Sequence, residues 1–499
     1  MKISTIINPF DGYIASLPEE ESALLKEFFA DFEHHCDLPW RDKRKLREDF
    51  EKAVMYYSSR GLSLERSLEL LDTRNLGGFY ARPPVLWFPL DDAAKIYPLS
   101  MERGRMSVFR LSVYLREPVV PEMLQMALDF TIRRFPSFAT TLKKGFFWHY
   151  LDTTKRRFPV FRESDIPCRP LKVSQSGSLA FRVLYWKNRI SLEFFHVLTD
   201  GTGGMTFLKV LTGEYLRLMG APVAPAPELW DINSTPSPEE FENAFARVKQ
   251  RGAASGFMDK SALQMNGRLA ENSPCRILHF RMDASRLYEA AKRHGATVTV
   301  YLTALMFLAG RAAIDELQGE QSIQIPVNMR KFYPSKTVRN FSLYCGIRLP
   351  IEKTEDLDEM IGEIQRQLEQ KGSREAMDSM LTATERLVNL LKFVPLVVKQ
   401  PVARLIYGFL GDKIFTTTLS NIGVVQLPDW MAEHVDCMDF VLGTAISNRA
   451  SCSLVTVNGT AMFTIAKLTA DPSFEEKLYE LLESDRVAVK VEVSGFYES

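Results

Sequence analysis

The chain has no surplus of either charge: 62 Lys and Arg stand against 62 Asp and Glu. No overall field therefore draws it to nucleic acid or to an anionic membrane. Local basic clusters remain, such as "LKKG" at 142–145 and "TTKRR" at 153–157, and clusters of this size are ordinarily solvated faces. Cysteine is sparse. The six, Cys36, Cys168, Cys275, Cys345, Cys437 and Cys452, form no CxxC pair, and no Cys/His spacing matches a zinc site. The expectation is no metal and no disulfide framework, which fits a reducing cytoplasm. The opening "MKISTIINPFDGY" lacks the charged-then-apolar pattern of a signal peptide. A long uncharged apolar run is also missing. The nearest is "VNLLKFVPLVVKQPVARLIYGFL" at 388–410, which Lys392, Lys399, Arg404, Pro395 and Pro401 interrupt. It is too broken for a transmembrane helix. The plain reading is a buried or rim helix; the sharper one is a lid over a lipid-like substrate or a peripheral contact with a membrane surface.

What is present is a large apolar content, 46% of 499 residues, enough for two or three domains. Residues 18–73 are polar and helix-patterned, with acidic openings and Gly61 as a stop. They predict a helical N-terminal extension, 1–80, packed on the main body because its helices are short and amphipathic. From about residue 104 strands and helices mix. "RMSVFRLSVYL" predicts a strand, "VPEMLQMALDFTIRRFP" a helix opened by Pro121, and "SFATTLKKG" with "FFWHYLDT" a hairpin. Two more strands, joined at Lys187-Asn188, lead to "HVLTDG" and to a helix ending at Gly220. The stretch "APVAPAPELWDINSTPSPEE" opens a linker region, 223–272, between lobes at 81–222 and 273–499. The second lobe restarts with "CRILHFRMDASRLYEAAKRHG" and closes with several strands and a helix near 474–485. The expected fold class is α/β, two lobes with a cleft between them, the usual place for a ligand.

His196 follows the apolar run "ISLEFF" and precedes Asp200 and Gly201. A neutral imidazole held at a strand end suits removal of a proton from a hydroxyl or amine, since its pKa lies near working pH. The Gly201–Gly204 stretch suits a tight turn. The four-residue spacing does not by itself aim Asp200 at the imidazole, so no charge relay is implied; Asp200 could fix the loop by pairing with a distant arginine. The residues alone also allow a plainer reading, a hydrogen-bonded structural histidine before a DG turn.

"HVLTDG" resembles the HxxxDG motif of the CoA-dependent acyltransferase superfamily, which includes chloramphenicol acetyltransferase, alcohol acetyltransferases, polyketide- and wax-ester-forming acyltransferases and peptide-synthetase condensation domains. Other segments agree in order. "FRLSVYL" and "PEMLQMALDFTIRRFPSFATTL" are similar to the family's first strand and helix. "TVTVYLTALMFLAG" is similar to the helix opening its second lobe. "IPVNMR", "RNFSLY" and "TTLSNIGVVQLP" are similar to three later segments. The resemblance spans about residues 82–490. It implies two chloramphenicol acetyltransferase-like lobes with mixed sheets flanked by helices and a tunnel between them. It implies His196 as general base, Asp200 as a structural carboxylate paired with Arg330, and Gly201 as the residue that permits the turn. Asn328 of "VNMR" would support the site. Ser420 and Asn421 would lie near the tunnel as oxyanion donors; their plainer reading is a polar strand end before Gly423.

The activity so implied is transfer of an acyl group, acetyl in the first instance, from a CoA thioester to a hydroxyl or amine. Acyl-CoA is then a co-substrate and no cofactor is permanently bound. Condensation domains carry a second histidine where this chain has Phe195, and no carrier-protein segment accompanies it. Both points favour a stand-alone enzyme of the alcohol acetyltransferase kind. The alternatives are a condensation-like, lipid- or polyketide-forming acyltransferase, and a non-catalytic binding protein on the same fold. Acceptor, acyl length and oligomeric state are open at this level.

Overall fold

The computed structural model describes residues 9–72, 85–92, 94–95, 97–100, 106–163, 166–171, 179–248, 260–270, 274–401, 413–443 and 448–494. Residues 1–8 and 73–80 of the expected extension, 249–259, 271 and 272 of the linker, and 402–410 of the apolar segment lie outside the described residues.

The N-terminal region forms α1 (Pro9–Ser16), α2 (Glu19–His35), α3 (Trp40–Ser59) and α4 (Leu64–Leu70). Glu19, Glu20 and Glu21 open α2, their charges complementing the helix dipole, and His34 and His35 lie in its last turn. Ser63 caps α4 by accepting from the Arg66 N–H at 3.3 Å. Phe29, Phe32, Leu46 and Phe50 are buried in the same core as the lobe that follows. The Phe50 ring meets Phe130 edge-on at 6.1 Å, and the Tyr57 hydroxyl donates to the Leu218 carbonyl at 2.8 Å. Helices this short are held by such packing rather than by their own propensity.

Strands of the first half are β1 (Trp87–Pro89), β2 (Val108–Leu115), β3 (Thr140–Lys144), β4 (His149–Thr153), β5 (Val160–Arg162), β6 (Phe181–Trp186) and β7 (Arg189–Phe195). Those of the second are β8 (Arg276–Asp283), β9 (Glu320–Asn328), β10 (Ser342–Pro350), β11 (Thr417–Val424), β12 (Val435–Leu442), β13 (Ala450–Val457), β14 (Thr460–Lys467) and β15 (Val489–Val493). Among the described residues they make a small sheet β1-β4-β3, a five-stranded sheet β12-β2-β7-β6-β5 and a seven-stranded sheet β10-β9-β11-β13-β14-β8-β15. Both large sheets are mixed: β5–β6, β9–β11 and β11–β13 run parallel, and the remaining pairs antiparallel. Helices Pro121–Thr131 and Gly201–Leu218 pack beside the first, and Val298–Ala312 and Ser473–Ser484 beside the second. Gly220, at φ +97°, ends the Gly201–Leu218 helix where a side chain would be strained.

The boundary at 273 does not keep the sheets apart. β12 lies far into the second half yet hydrogen-bonds along β2, with Leu442 opposite Phe109 and Phe440 opposite Leu111. Its Met438 and Phe440 are buried in the first lobe's core. Charged groups are buried with it. Tyr114 donates to Asp439 at 2.7 Å, Asp439 faces His279 of β8 at 3.8 Å, and Arg110 joins Glu193 at 2.8 Å and Glu163 at 2.6 Å. Burial alone would raise the Asp439 carboxyl; His279 and Arg189 outweigh it and hold it below the usual carboxylate range.

Of the two forms of the plain reading, buried or rim, the described part of the apolar segment takes the rim position, with Leu396 buried and most of its other apolar side chains outward. The helix Arg374–Leu390 gives way to a break before Pro395, and Leu390, Phe393, Val397 and Val398 face outward. Among the described residues no single helix is long and apolar enough to cross a membrane.

Candidate active site

His196 sits one residue beyond β7. Its N–H donates to the Ser107 carbonyl at 2.8 Å, which extends the β2–β7 pairing by one step and fixes the backbone. Phe194 and Phe195 are fully buried, so the apolar run anchors the ring from behind. Tyr97 stacks on the imidazole at 4.8 Å and 23°, and Phe109 meets it edge-on at 5.1 Å. The residue as a whole is half-buried.

Asn340 decides the tautomer. Its Nδ2 donates to the His196 carbonyl at 2.7 Å, while its Oδ1 lies 2.9 Å from Nδ1. An amide oxygen cannot face the carbonyl, so the amide has one orientation. Nδ1 must then carry the proton and donate to Oδ1, which leaves the lone pair on Nε2. Among the described residues Nε2 has no hydrogen-bond partner. Burial lowers the imidazole pKa below its ordinary value; its own carbonyl, Asp200 and Asn340 pull the other way but do not restore it. The result is a neutral ring at neutral pH with a basic nitrogen unengaged.

Asp200 does not touch His196. It caps the Gly201–Leu218 helix by accepting from the Gly203 N–H at 3.0 Å on Oδ1. Its Oδ2 accepts from Arg330 at 2.7 Å, from the Phe341 N–H at 2.8 Å and from Ser342 at 3.1 Å. Burial would raise this carboxyl, but Arg330 and the two backbone N–H groups outweigh it and hold it below the usual range. Arg330 in turn donates to the carbonyls of Thr337 and Arg339, each at 2.8 Å. Asn328 accepts from the Arg330 N–H at 3.0 Å and donates to Thr202 at 3.2 Å. Thus residues 328–342 of the second half grip residues 196–203 of the first, and His196 stands at their junction.

Gly201 needs correction. It begins the helix and has no positive φ, so it permits no special turn; a Cβ there would lie 3.4 Å from Ile422, close to ordinary contact. The indispensable glycine is Gly203, where a Cβ would lie 2.0 Å from the Val338 carbonyl and 2.4 Å from the Thr199 hydroxyl. Thr199 donates to that same carbonyl at 2.6 Å, so neither group has room to move. Gly203→Ala is expected to cost about 1–3 kcal/mol of stability, read by denaturant unfolding; an unchanged midpoint would show that the grip is loose.

Asn421 donates one amide N–H to Thr299 at 2.9 Å and accepts from the Gly423 N–H at 2.7 Å, contacts that shape the end of β11. Ser420 pairs in register with Ser453 and is half-buried, two residues before the Ile422 that faces Gly201. Two residues escaped the sequence reading. Asn340 lies inside the quoted "RNFSLY", where a single amide before an apolar strand was the available signal. Tyr97 lies in a four-residue helix with no periodicity to mark it. Its segment is anchored by Asp91, which accepts from the Ala94 N–H at 2.8 Å and faces Arg339 at 3.6 Å. Burial pushes the Asp91 carboxyl up to about 6 against the pull of Arg339.

No family model and no curated protein sequence matches the chain. Solved structures do. Polyketide synthase associated protein 5 from Mycobacterium tuberculosis matches at a TM-score of 0.54 and 12% identity, over 79% of this chain and 97% of that one. A trichothecene 15-O-acetyltransferase from Fusarium sporotrichioides matches at 0.51 and 12%, over 81% and 99%. A starter condensation domain of rhizomide synthetase, in complex with C8-CoA and Leu-SNAC, matches at 0.51 and 11%, over 80% and 94%. Identities this low speak for the fold alone. The chain has the two-lobed chloramphenicol acetyltransferase-like fold that CoA-dependent acyltransferases and condensation domains share.

Proposed function

We propose that the chain transfers an acyl group from a CoA thioester to a hydroxyl or amine acceptor, with His196 Nε2 as general base. The observation that carries this reading is the Asn340 clamp, which commits the proton to Nδ1 and leaves Nε2 free beside the lobe junction. The likeness to an acetyltransferase and to a condensation domain holding an acyl-CoA supports the same reaction class.

In this reading the acceptor's O–H or N–H donates to Nε2 as its heteroatom attacks the thioester carbonyl. A C–O or C–N bond forms and the carbonyl becomes a tetrahedral oxyanion, toward which Ser420 is the candidate donor. The oxyanion collapses, the C–S bond breaks, and the imidazolium returns its proton to the CoA thiolate. No acyl-enzyme is needed. Asp200, Arg330 and Asn328 hold the loop and take no part in proton transfer. Phe195, in place of a second histidine, favours an acyltransferase of the alcohol acetyltransferase kind over a condensation domain.

A thiol-release screen of acyl-CoA donors against pooled alcohols and amines tests the reading. Expected is CoA release that requires both substrates; acyl-CoA binding by calorimetry with no release for any acceptor class would favour a binding protein instead. Asn340→Asp gives a sharper check. A carboxylate beside Nδ1–H raises the imidazole pKa, so the acid limb of kcat/KM should rise by about one unit or more from a wild-type position below about 6.5. An unmoved limb would remove Asn340 from the machinery.

A further inference from the structure

The break after Leu390 exposes an apolar surface that the fold does not use. Leu390, Phe393 and Val397 are 79%, 76% and 83% exposed, and Val398 also faces outward. The tip of the β3–β4 hairpin adjoins them. Phe146 is 72% exposed, its carbonyl accepts from the Leu396 N–H at 2.9 Å, and the Phe147 ring meets Phe393 at 6.2 Å. The surface is rigidly backed. Leu396 and Lys399 are buried beneath it, with Lys399 Nζ 3.2 Å above the Trp148 ring and donating to the Phe147 carbonyl at 2.9 Å. A contiguous apolar patch of this kind marks a contact site.

The charges beside it are cationic. In the described residues 386–401 Arg386 and Lys392 are exposed, Lys399 is buried and no Asp or Glu occurs, and the hairpin segment 142–150 carries Lys143 and Lys144 and no acid. Lys144, Arg386 and Lys392 are exposed beside it; the flanking acids Glu385 and Asp152 are half-buried, and Asp412 lies outside the described residues. A second copy docked on this face would set lysine against lysine, which disfavours a symmetric self-contact. Aromatic and aliphatic tips ringed by cations match the interface of an anionic bilayer, where the apolar groups enter the headgroup boundary and each lysine gains from the surface potential.

We propose that this surface docks the protein on membranes bearing anionic lipid headgroups. The inference goes beyond the acyl-transfer reading and does not depend on it. It has a bearing on that site all the same. Lys95, two residues before the Tyr97 that stacks on His196, lies with Nζ 5.8 Å from the Trp148 ring centre, so the docking face and the candidate site share one packed segment.

Co-sedimentation of the full chain with phosphatidylcholine vesicles, with and without phosphatidylglycerol, is the test, and it needs no substrate. Expected is binding to the anionic vesicles that falls with added salt, with little binding to neutral ones. The triple variant Phe146→Ser, Phe393→Ser, Val397→Ser should weaken binding at least about tenfold. Each of Lys143→Gln, Lys144→Gln and Lys392→Gln should weaken it about fivefold. All these side chains are exposed except Lys143, which is half-buried on β3, so melting temperatures should stay near the wild-type value and confirm that the variants are folded. Equal binding to neutral vesicles, no binding to either, or variants that bind like wild type would each overturn the proposal. So would a dimer that the triple variant dissociates while vesicles do not bind.

Discussion

Replacing His196 with alanine is expected to lower turnover at least about a hundredfold while leaving the fold intact. The loss arises because, among the described residues, the polar side chains held nearest the ring are already committed or do not titrate. Asp200 has both oxygens committed to Gly203, Arg330, Phe341 and Ser342, and Asn340 does not titrate. The fold should survive because the imidazole carries little of it: the β2–β7 pairing uses the backbone of residue 196, which alanine supplies. The measurement is CoA thiol release by wild type and variant at saturating acyl-CoA, with unfolding curves as the control. Turnover within a few-fold of wild type would end the general-base assignment.

Asp200→Ala is expected to act in the opposite manner, on stability first. It leaves the half-buried Arg330 guanidinium without its carboxylate partner and strands the buried Phe341 and Gly203 N–H groups. Breaking a buried pair from one side costs about 3–5 kcal/mol, visible in the denaturant midpoint. Asp200→Asn, which still accepts hydrogen bonds, should cost less. Because the folded carboxyl is held below its ordinary range, this stabilisation is fully present above the unfolded pKa of about 3.9 and is lost as pH falls toward the lower folded value. A variant with wild-type stability and no activity would instead place Asp200 in the reaction itself.

The sequence exposed those parts of the site that local pattern carries. "ISLEFFHVLTDG" reads as a strand, a histidine and a helix start because apolar alternation and an N-cap aspartate are short-range signals. The partnership of Asp200 with Arg330 was legible only through the family resemblance; 130 residues separate them and no periodicity links them. Asn340 was in view as part of a quoted segment but not as a clamp, since its action needs the His196 carbonyl to be within reach. Gly201 misled because a glycine after aspartate reads as a turn, whereas the close approach of the Val338 carbonyl falls two residues later. The apolar segment was legible only as buried or rim: hydropathy does not choose between the two, and it cannot say that the hairpin tip joins the segment at the surface instead of covering it.

The placement of β12 bears on how the molecule is made. Tyr114 and its partner Asp439 are 325 residues apart, so during synthesis at about 5–20 residues per second the open edge of β2 would wait roughly 15–65 s for its neighbour. An unpaired strand edge held that long in a crowded cell invites the wrong partner. A nascent chain stopped before residue 435 should therefore bind chaperones or aggregate, however complete its first lobe looks on paper.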